Sequence, residues 1–235
     1  MPLPESSFEG RLEAVRNRIR AAAERVHRDP ATITLVAVSK KFSAQRIREA
    51  YQAGVRLFGE NYVQEFAAKR PALGHLDGAR FHLIGHLQSN KARPACELFD
   101  VIETVDSPKL LKRLDAISGE RRSTLEVLFE IKLSDEPDKS GAAPDTLPDL
   151  AAAAQDCRHL HVSGLMTVPP WSDDPEHSRP YFRRLAELAR PYGWQTLSMG
   201  MSGDFEVAIE EGATVIRVGT ALFGQRPKPA VAESA

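Results

Sequence analysis

From Phe8 onward, apolar residues return at Leu12, Val15, Ile19, Ala22 and Val26, a spacing near 3.6 residues that predicts an amphipathic helix over about residues 7–28. Ser6 and Ser7 stand ahead of it as candidate caps. The pattern then changes. Short apolar runs cover 33–38, 55–58, 80–84, 101–104, 125–133, 160–166, 195–199 and 214–218. Between them, AQRIREAYQAG, NYVQEFAAKR, SNKARPACELF, SPKLLKRLDAI, DTLPDLAAAAQ, PYFRRLAELAR and GDFEVAIEEG carry helical spacing, with Gly54 and Gly212 at C-cap positions.

Alternating strands and helices predict a parallel sheet, because parallel strands need crossover connections. About eight such units in one chain predict the α/β class, as a single closed (β/α)8 TIM barrel preceded by one extra helix. No linker splits residues 1–235, so one domain is expected, with the Pro- and Ala-rich stretch 226–235 as a frayed tail. An open doubly wound sheet is the alternative. It would show a GxGxxG turn after its first strand, and SKKFSA is not one.

Composition narrows the function. A net charge of −1 gives no electrostatic footprint for nucleic acid or an anionic membrane. Cys96 and Cys157 are too few for a disulfide framework or a cysteine metal site, and the histidines share no metal-ligand spacing. No segment approaches the length of a membrane span or a signal h-region, so a reducing, cytoplasmic location is expected.

In a barrel of this kind chemistry belongs at the C-terminal ends of the strands. The first strand ends in Ser39-Lys40-Lys41. A lysine there has either met water or is held as a Schiff-base amine. The last two loops, Gly200-Met201-Ser202-Gly203 and Gly219-Thr220 followed by TALF, suit a phosphate cradle of backbone amides, hydroxyls and a short helix. The same glycines also suit simple tight turns. Arg217 sits inside the apolar run VIRVG; the local sequence favours a structural ion pair with a carboxylate elsewhere. An amine, an anion cradle and an inward arginine at one mouth would suit a phosphorylated carbonyl compound, such as pyridoxal 5'-phosphate or a sugar phosphate. Lys41 is expected to face solvent, Glu60 and Glu65 to pair with helix residues, and His82 to be a satisfied core histidine. Trp171 falls in a Pro- and acid-rich connection.

The blocks AVSK, FGENYVQE, HLIGHLQSNK, DKSG, GLMTV, LSMGMSGDFEVAIEEGAT and IRVGTALFG, in this order from about Leu35 to Gly224, resemble the signature of the YggS/PROSC family of pyridoxal-phosphate homeostasis proteins. That family is similar in fold to the N-terminal barrel of alanine racemase. The resemblance implies a Schiff base on Lys40, phosphate contacts from Ser202, Gly219 and Thr220, and Arg217 facing the pyridine nitrogen. Asn61, Met166 and Met201 would line the cofactor. Lys139 of DKSG, and Lys91, are candidates for cofactor hand-over. Lys132 stands where the family often has Asn, which alters hydrogen bonding near the fifth loop.

The function so implied is a monomeric carrier that buffers pyridoxal phosphate or delivers it to apo-enzymes. An amino-acid racemase is the alternative. By the resemblance it would need a second base, a tyrosine from a partner's β-domain, and the chain stops soon after its eighth strand. A lysine-imine sugar-phosphate aldolase is a third reading, disfavoured because such lysines usually sit on later strands.

Overall fold

In a computed structural model of the protein, which describes residues 7–136 and 139–225, the apolar runs become eight parallel strands. They are β1 (Thr34–Val38), β2 (Leu57–Glu60), β3 (Arg80–Leu83), β4 (Val101–Val105), β5 (Leu125–Glu130), β6 (Leu160–Met166), β7 (Thr196–Ser198) and β8 (Val215–Val218). They pair in sequence order, and β1 also pairs with β8, with Thr34 beside Val215 and Ala37 beside both Val218 and Phe58. The sheet is therefore a closed barrel, as the alternation predicts. The expected tail, 226–235, lies outside the described residues, as does Asp138 of DKSG.

Helix α1 (Phe8–Arg25) begins where its cap dictates: the Ser7 hydroxyl accepts from the Gly10 amide at 3.0 Å. It is shorter than the apolar spacing suggests, because Val26 turns its amide back to Ala23 and His27 adopts φ 56°. Ser7→Ala is expected to cost about 1 kcal/mol, read as a loss of a few degrees in Tm; an unchanged Tm would show that the cap is idle. The barrel helices are α2 (Ala44–Gln52), α3 (Val63–Leu73), α4 (Ala92–Leu98), α5 (Pro108–Glu120), α6 (Leu147–Gln155), α7 (Arg179–Ala189), α8 (Phe205–Glu210) and α9 (Thr220–Phe223).

Two helices that contain proline depart from the expected boundaries. In SNKARPACELF a 3-10 turn over Ser89–Lys91 precedes α4, and Pro94 occupies its first turn, where no intrahelical donor is needed. In α3 the helix continues past Arg70 to Leu73, with Pro71 inside its last turn. Pairing in β2 starts later than the apolar run, since the Val55 amide still closes α2 onto the Ala50 carbonyl. Gly59 and Glu60 consequently belong to the strand, not to the loop. Gly54 and Gly212 do end helices, at φ 93° and 102°.

Two apolar layers result. The larger lies between sheet and helices; the smaller, Val101, Leu128 and Met166 packed with Val168, fills the barrel interior. Above that small plug the interior is polar, which is where the site begins.

Candidate functional site

Val38 ends β1 and Ser39 is pinned at once: its hydroxyl donates to Glu60 Oε1 at 2.7 Å, and Lys69 Nζ reaches the same oxygen at 2.7 Å. Both Ser39 and Glu60 are fully buried. The next residue but one, Lys41, is turned outward with φ 66° and donates its amide to Glu65 Oε1 at 2.6 Å. Between these two anchors Lys40 is half-buried and faces a cavity of about 460 Å³. Asn61, Met201, Ser202, Arg217, Gly219 and Thr220 line the same cavity, with Val38, Ile84, Val168 and Trp171 as apolar wall. Glu60 and Glu65 both pair with Lys69 of α3, in line with the expected pairing to helix residues.

The far side is a converging set of donors. The amides of Gly219 and Ala221 both point at the Ser202 hydroxyl, at 3.3 and 3.4 Å. The loop that presents Ser202 is held by Asp204, whose Oδ1 accepts from the Met201 amide at 2.7 Å and whose Oδ2 accepts from Ser178 at 2.8 Å. Gly200 takes φ 93° with Ala208 and Phe205 close behind it, so only glycine fits at this bend. Gly85 serves Asn61: a Cβ there would lie 2.3 Å from the Asn61 carbonyl oxygen, so the loop after β3 passes directly against Asn61.

Arg217, 3% exposed, forms the cavity's inner end. Its Nη1 donates to Ser198 Oγ at 2.6 Å and its Nη2 to the Thr167 carbonyl at 2.7 Å. Ser198 donates onward to Glu103 Oε2, and Glu103 Oε1 meets His82 Nδ1 at 2.6 Å. Burial pushes the Glu103 carboxyl upward, but His82, Arg217 and Ser198 together outweigh it and hold the group below the usual carboxylate range. Burial likewise lowers Arg217, against the opposing fields of Glu103, Glu130 and Asp204, and a guanidinium stays charged regardless. The expected ion pair thus exists at one remove, through a hydroxyl. His82 is satisfied on one nitrogen only; its buried Nε2 has no partner among the described residues.

Glu130 is 8% exposed, and its buried Oε2 has no hydrogen-bond partner among the described residues. Burial raises its pKa to about 7, with Asp106 and Glu103 adding and Arg217 opposing. A carboxyl raised in this way favours the fold fully below its unfolded value near 4.5 and loses that contribution as pH climbs through about 7. Glu130→Gln is therefore expected to stabilise the protein at pH 8 by on the order of 1–3 kcal/mol and to change little at pH 4. Urea unfolding at the two pH values checks this; equal effects at both would contradict it.

Of the eight residues that the resemblance assigns to cofactor contact, Met166 alone does not line the cavity. It is fully buried in the plug beneath, where its neighbour in packing, Val168, forms the wall. Lys91 and Lys139 face separate hollows: Lys91 one of about 430 Å³ with Tyr62 and His86, Lys139 one of about 250 Å³ with Glu130 and Lys132. Asn61 lines all three hollows. Trp171 is 81% exposed on its connection and still overhangs the Lys40 cavity. Glu103 and Ser198 were missed. Glu103 had the same signal as Arg217, a charge inside the wholly buried run VIETV, whereas Ser198 had none.

The chain matches the family model described as alanine racemase, N-terminal domain, over residues 11–227. It is 44% identical over 223 residues to the pyridoxal phosphate homeostasis protein of Pseudomonas aeruginosa, covering 94% of this chain and 96% of that one. The protein of that name from Escherichia coli K12 is 44% identical over 222 residues, covering 92% and 95%. The chain belongs to the pyridoxal phosphate homeostasis protein family. Among solved structures, PipY of Synechococcus elongatus PCC7942 with PLP bound superposes with a TM-score of 0.83 at 38% identity, covering 93% of this chain and 100% of that chain. Alanine racemase from Corynebacterium glutamicum aligns at 20% identity with a TM-score of 0.66, covering 94% of this chain and 62% of that enzyme, which is a likeness of fold alone. Membership accounts for the order of the signature blocks; the cavity gathers residues from every block except DKSG, which lines a neighbouring hollow. Among the described residues no helix is long and apolar enough to cross a membrane.

Proposed function

We propose that this member of the family holds pyridoxal 5'-phosphate covalently, as a Schiff base on Lys40, and stores or delivers it in the cytoplasm as a monomer, with apo-enzymes as recipients. The observation that carries the reading is one cavity lined at once by Lys40, by the donor set converging on Ser202 and by Arg217. When bound, the cofactor supplies an aldehyde that condenses with a primary amine and a ring whose electron demand depends on its nitrogen.

The residues fit that group. Two backbone amides already converge on an oxygen, that of Ser202, so their geometry suits an oxyanion; Thr220 adds a second hydroxyl beside them. Arg217 keeps a fixed positive charge at the inner end, which disfavours a proton on a facing ring nitrogen and so weakens the ring as an electron sink. Val38, Ile84 and Val168 give the cavity beside Lys40 an apolar wall. The set is short of acid–base partners: the carboxylate lining this cavity, Asp204, has both oxygens engaged by Met201 and Ser178. No tyrosine or histidine lines it among the described residues.

Purified protein incubated with pyridoxal phosphate should turn yellow, and borohydride should bleach it while fixing the label to the peptide that contains Lys40. Failure to take up the cofactor, or a label on another lysine, would overturn the reading. Light scattering should give a mass near 25.9 kDa.

A further inference from the structure

We infer that Glu103 is a positioning residue for Arg217, acting through the Ser198 hydroxyl, with His82 fixing Glu103 in turn. The inference rests on the reading of Arg217 as the charge that faces the cofactor.

The argument is one of donors and acceptors. A guanidinium has N–H donors and no acceptor. Arg217 directs one to Ser198 Oγ at 2.6 Å and another to the Thr167 carbonyl at 2.7 Å. Ser198 has a single hydroxyl proton. While it accepts from Arg217, that proton needs another acceptor, and Glu103 Oε2 provides it. Glu103 Oε1 is met in turn by His82 Nδ1 at 2.6 Å. The polarity of the chain is thereby set from Arg217 through Ser198 to Glu103, and its members come from β8, β7, β4 and β3. All four side chains are buried, so each hydrogen bond costs the full desolvation of its partner if broken.

A direct Arg–carboxylate pair would be two-pronged and would turn the flat face of donors toward the acid. The relay does something different. It balances the arginine's charge at a distance through one hydroxyl and leaves the guanidinium edge that lines the Lys40 cavity uncommitted to a carboxylate. The charged groups that face Arg217 are Glu103, Glu130 and Asp204, and of these only Glu103 is linked to it by a hydrogen-bonded chain.

The test uses the full chain. Ser198→Ala and Glu103→Gln are loaded with pyridoxal phosphate and the pH midpoint of the visible band is recorded, alongside thermal melting of unloaded protein in a cycle with Arg217→Met. Ser198→Ala should move the midpoint by about one pH unit or more and weaken cofactor uptake about tenfold. Without cofactor, Glu103→Gln should lower Tm by about 10 °C, and by less than half as much when Arg217 is already methionine. An unmoved midpoint in folded Ser198→Ala, or strict additivity in the cycle, would overturn the inference. If Glu103→Gln does not fold, Ser198→Ala combined with Arg217→Met supplies the cycle. Should the parent protein bind no pyridoxal phosphate, the functional reading fails by itself, and the melting cycle alone decides whether Glu103 serves Arg217.

Discussion

Lys40→Met is expected to remove covalent pyridoxal phosphate completely: no yellow band, and no cofactor retained after borohydride and denaturation. Methionine keeps the length and apolar character of the lysine stem, and Lys40 is half-buried at the cavity edge, so stability should change by less than about 1 kcal/mol. The anion cradle, formed by Ser202 with the amides of Gly219 and Ala221, is untouched by this change. Dialysable binding should therefore survive at reduced affinity. Equilibrium dialysis separates the two modes. Retention of a covalent label by Lys40→Met would place the Schiff base on another amine, and loss of all binding would leave the phosphate contacts without a measurable share.

The largest structural effect is expected from Gly164→Ala. Gly164 lies opposite Thr196 in the β6–β7 ladder, next to an irregularity where β5 and β6 shift register between Val127 and Leu128. A Cβ at this glycine would sit 1.8 Å from the Thr196 carbonyl oxygen, a contact that backbone alone can relieve. The two strands must part or the barrel must open locally, so a loss of about 4 kcal/mol or more is expected, with failure to fold as the limit. Urea unfolding measures it; a loss under 1 kcal/mol would mean that the barrel absorbs the shift. Because β7 carries Ser198 and the residue after Met166 is Thr167, the same change should also disturb Arg217 and weaken cofactor uptake.

Much of this was legible from order and periodicity. Apolar runs spaced by helices give the closed barrel, and Lys40, Ser202, Gly219 and Thr220 could be placed at one end because strand ends share one rim. What stayed hidden depends on which way a strand's side chains point and on partners far along the chain. Met166 looked like a wall residue, yet in β6 it faces the interior plug with Val101 and Leu128. Glu103 and Ser198 are separated by 95 positions and meet only because the barrel closes. Strand β2 begins two residues later than its apolar run because the turn after α2 uses Val55 for its own hydrogen bond. Lys132 departs from the family pattern in the sequence itself, whereas its cavity neighbour Glu130, whose buried Oε2 has no hydrogen-bond partner among the described residues, has no signal beyond its place in an apolar run.

Helix α1 bears on how the molecule is made. Arg11 Nε donates to the Leu222 carbonyl at 2.6 Å, across 211 positions, Arg28 Nη1 reaches the Ile209 carbonyl at 2.7 Å, and the Phe8 ring rests on Phe223 at 5.2 Å. Helix α1 therefore finds most of its seat on α8 and α9, the helices of the last two βα units of the barrel. Its apolar stripe must wait, exposed or chaperoned, until those two units have been made. The turn bearing Gly219 and Ala221 is part of that same late seat, so competence to grip an anion and completion of the ring arrive together.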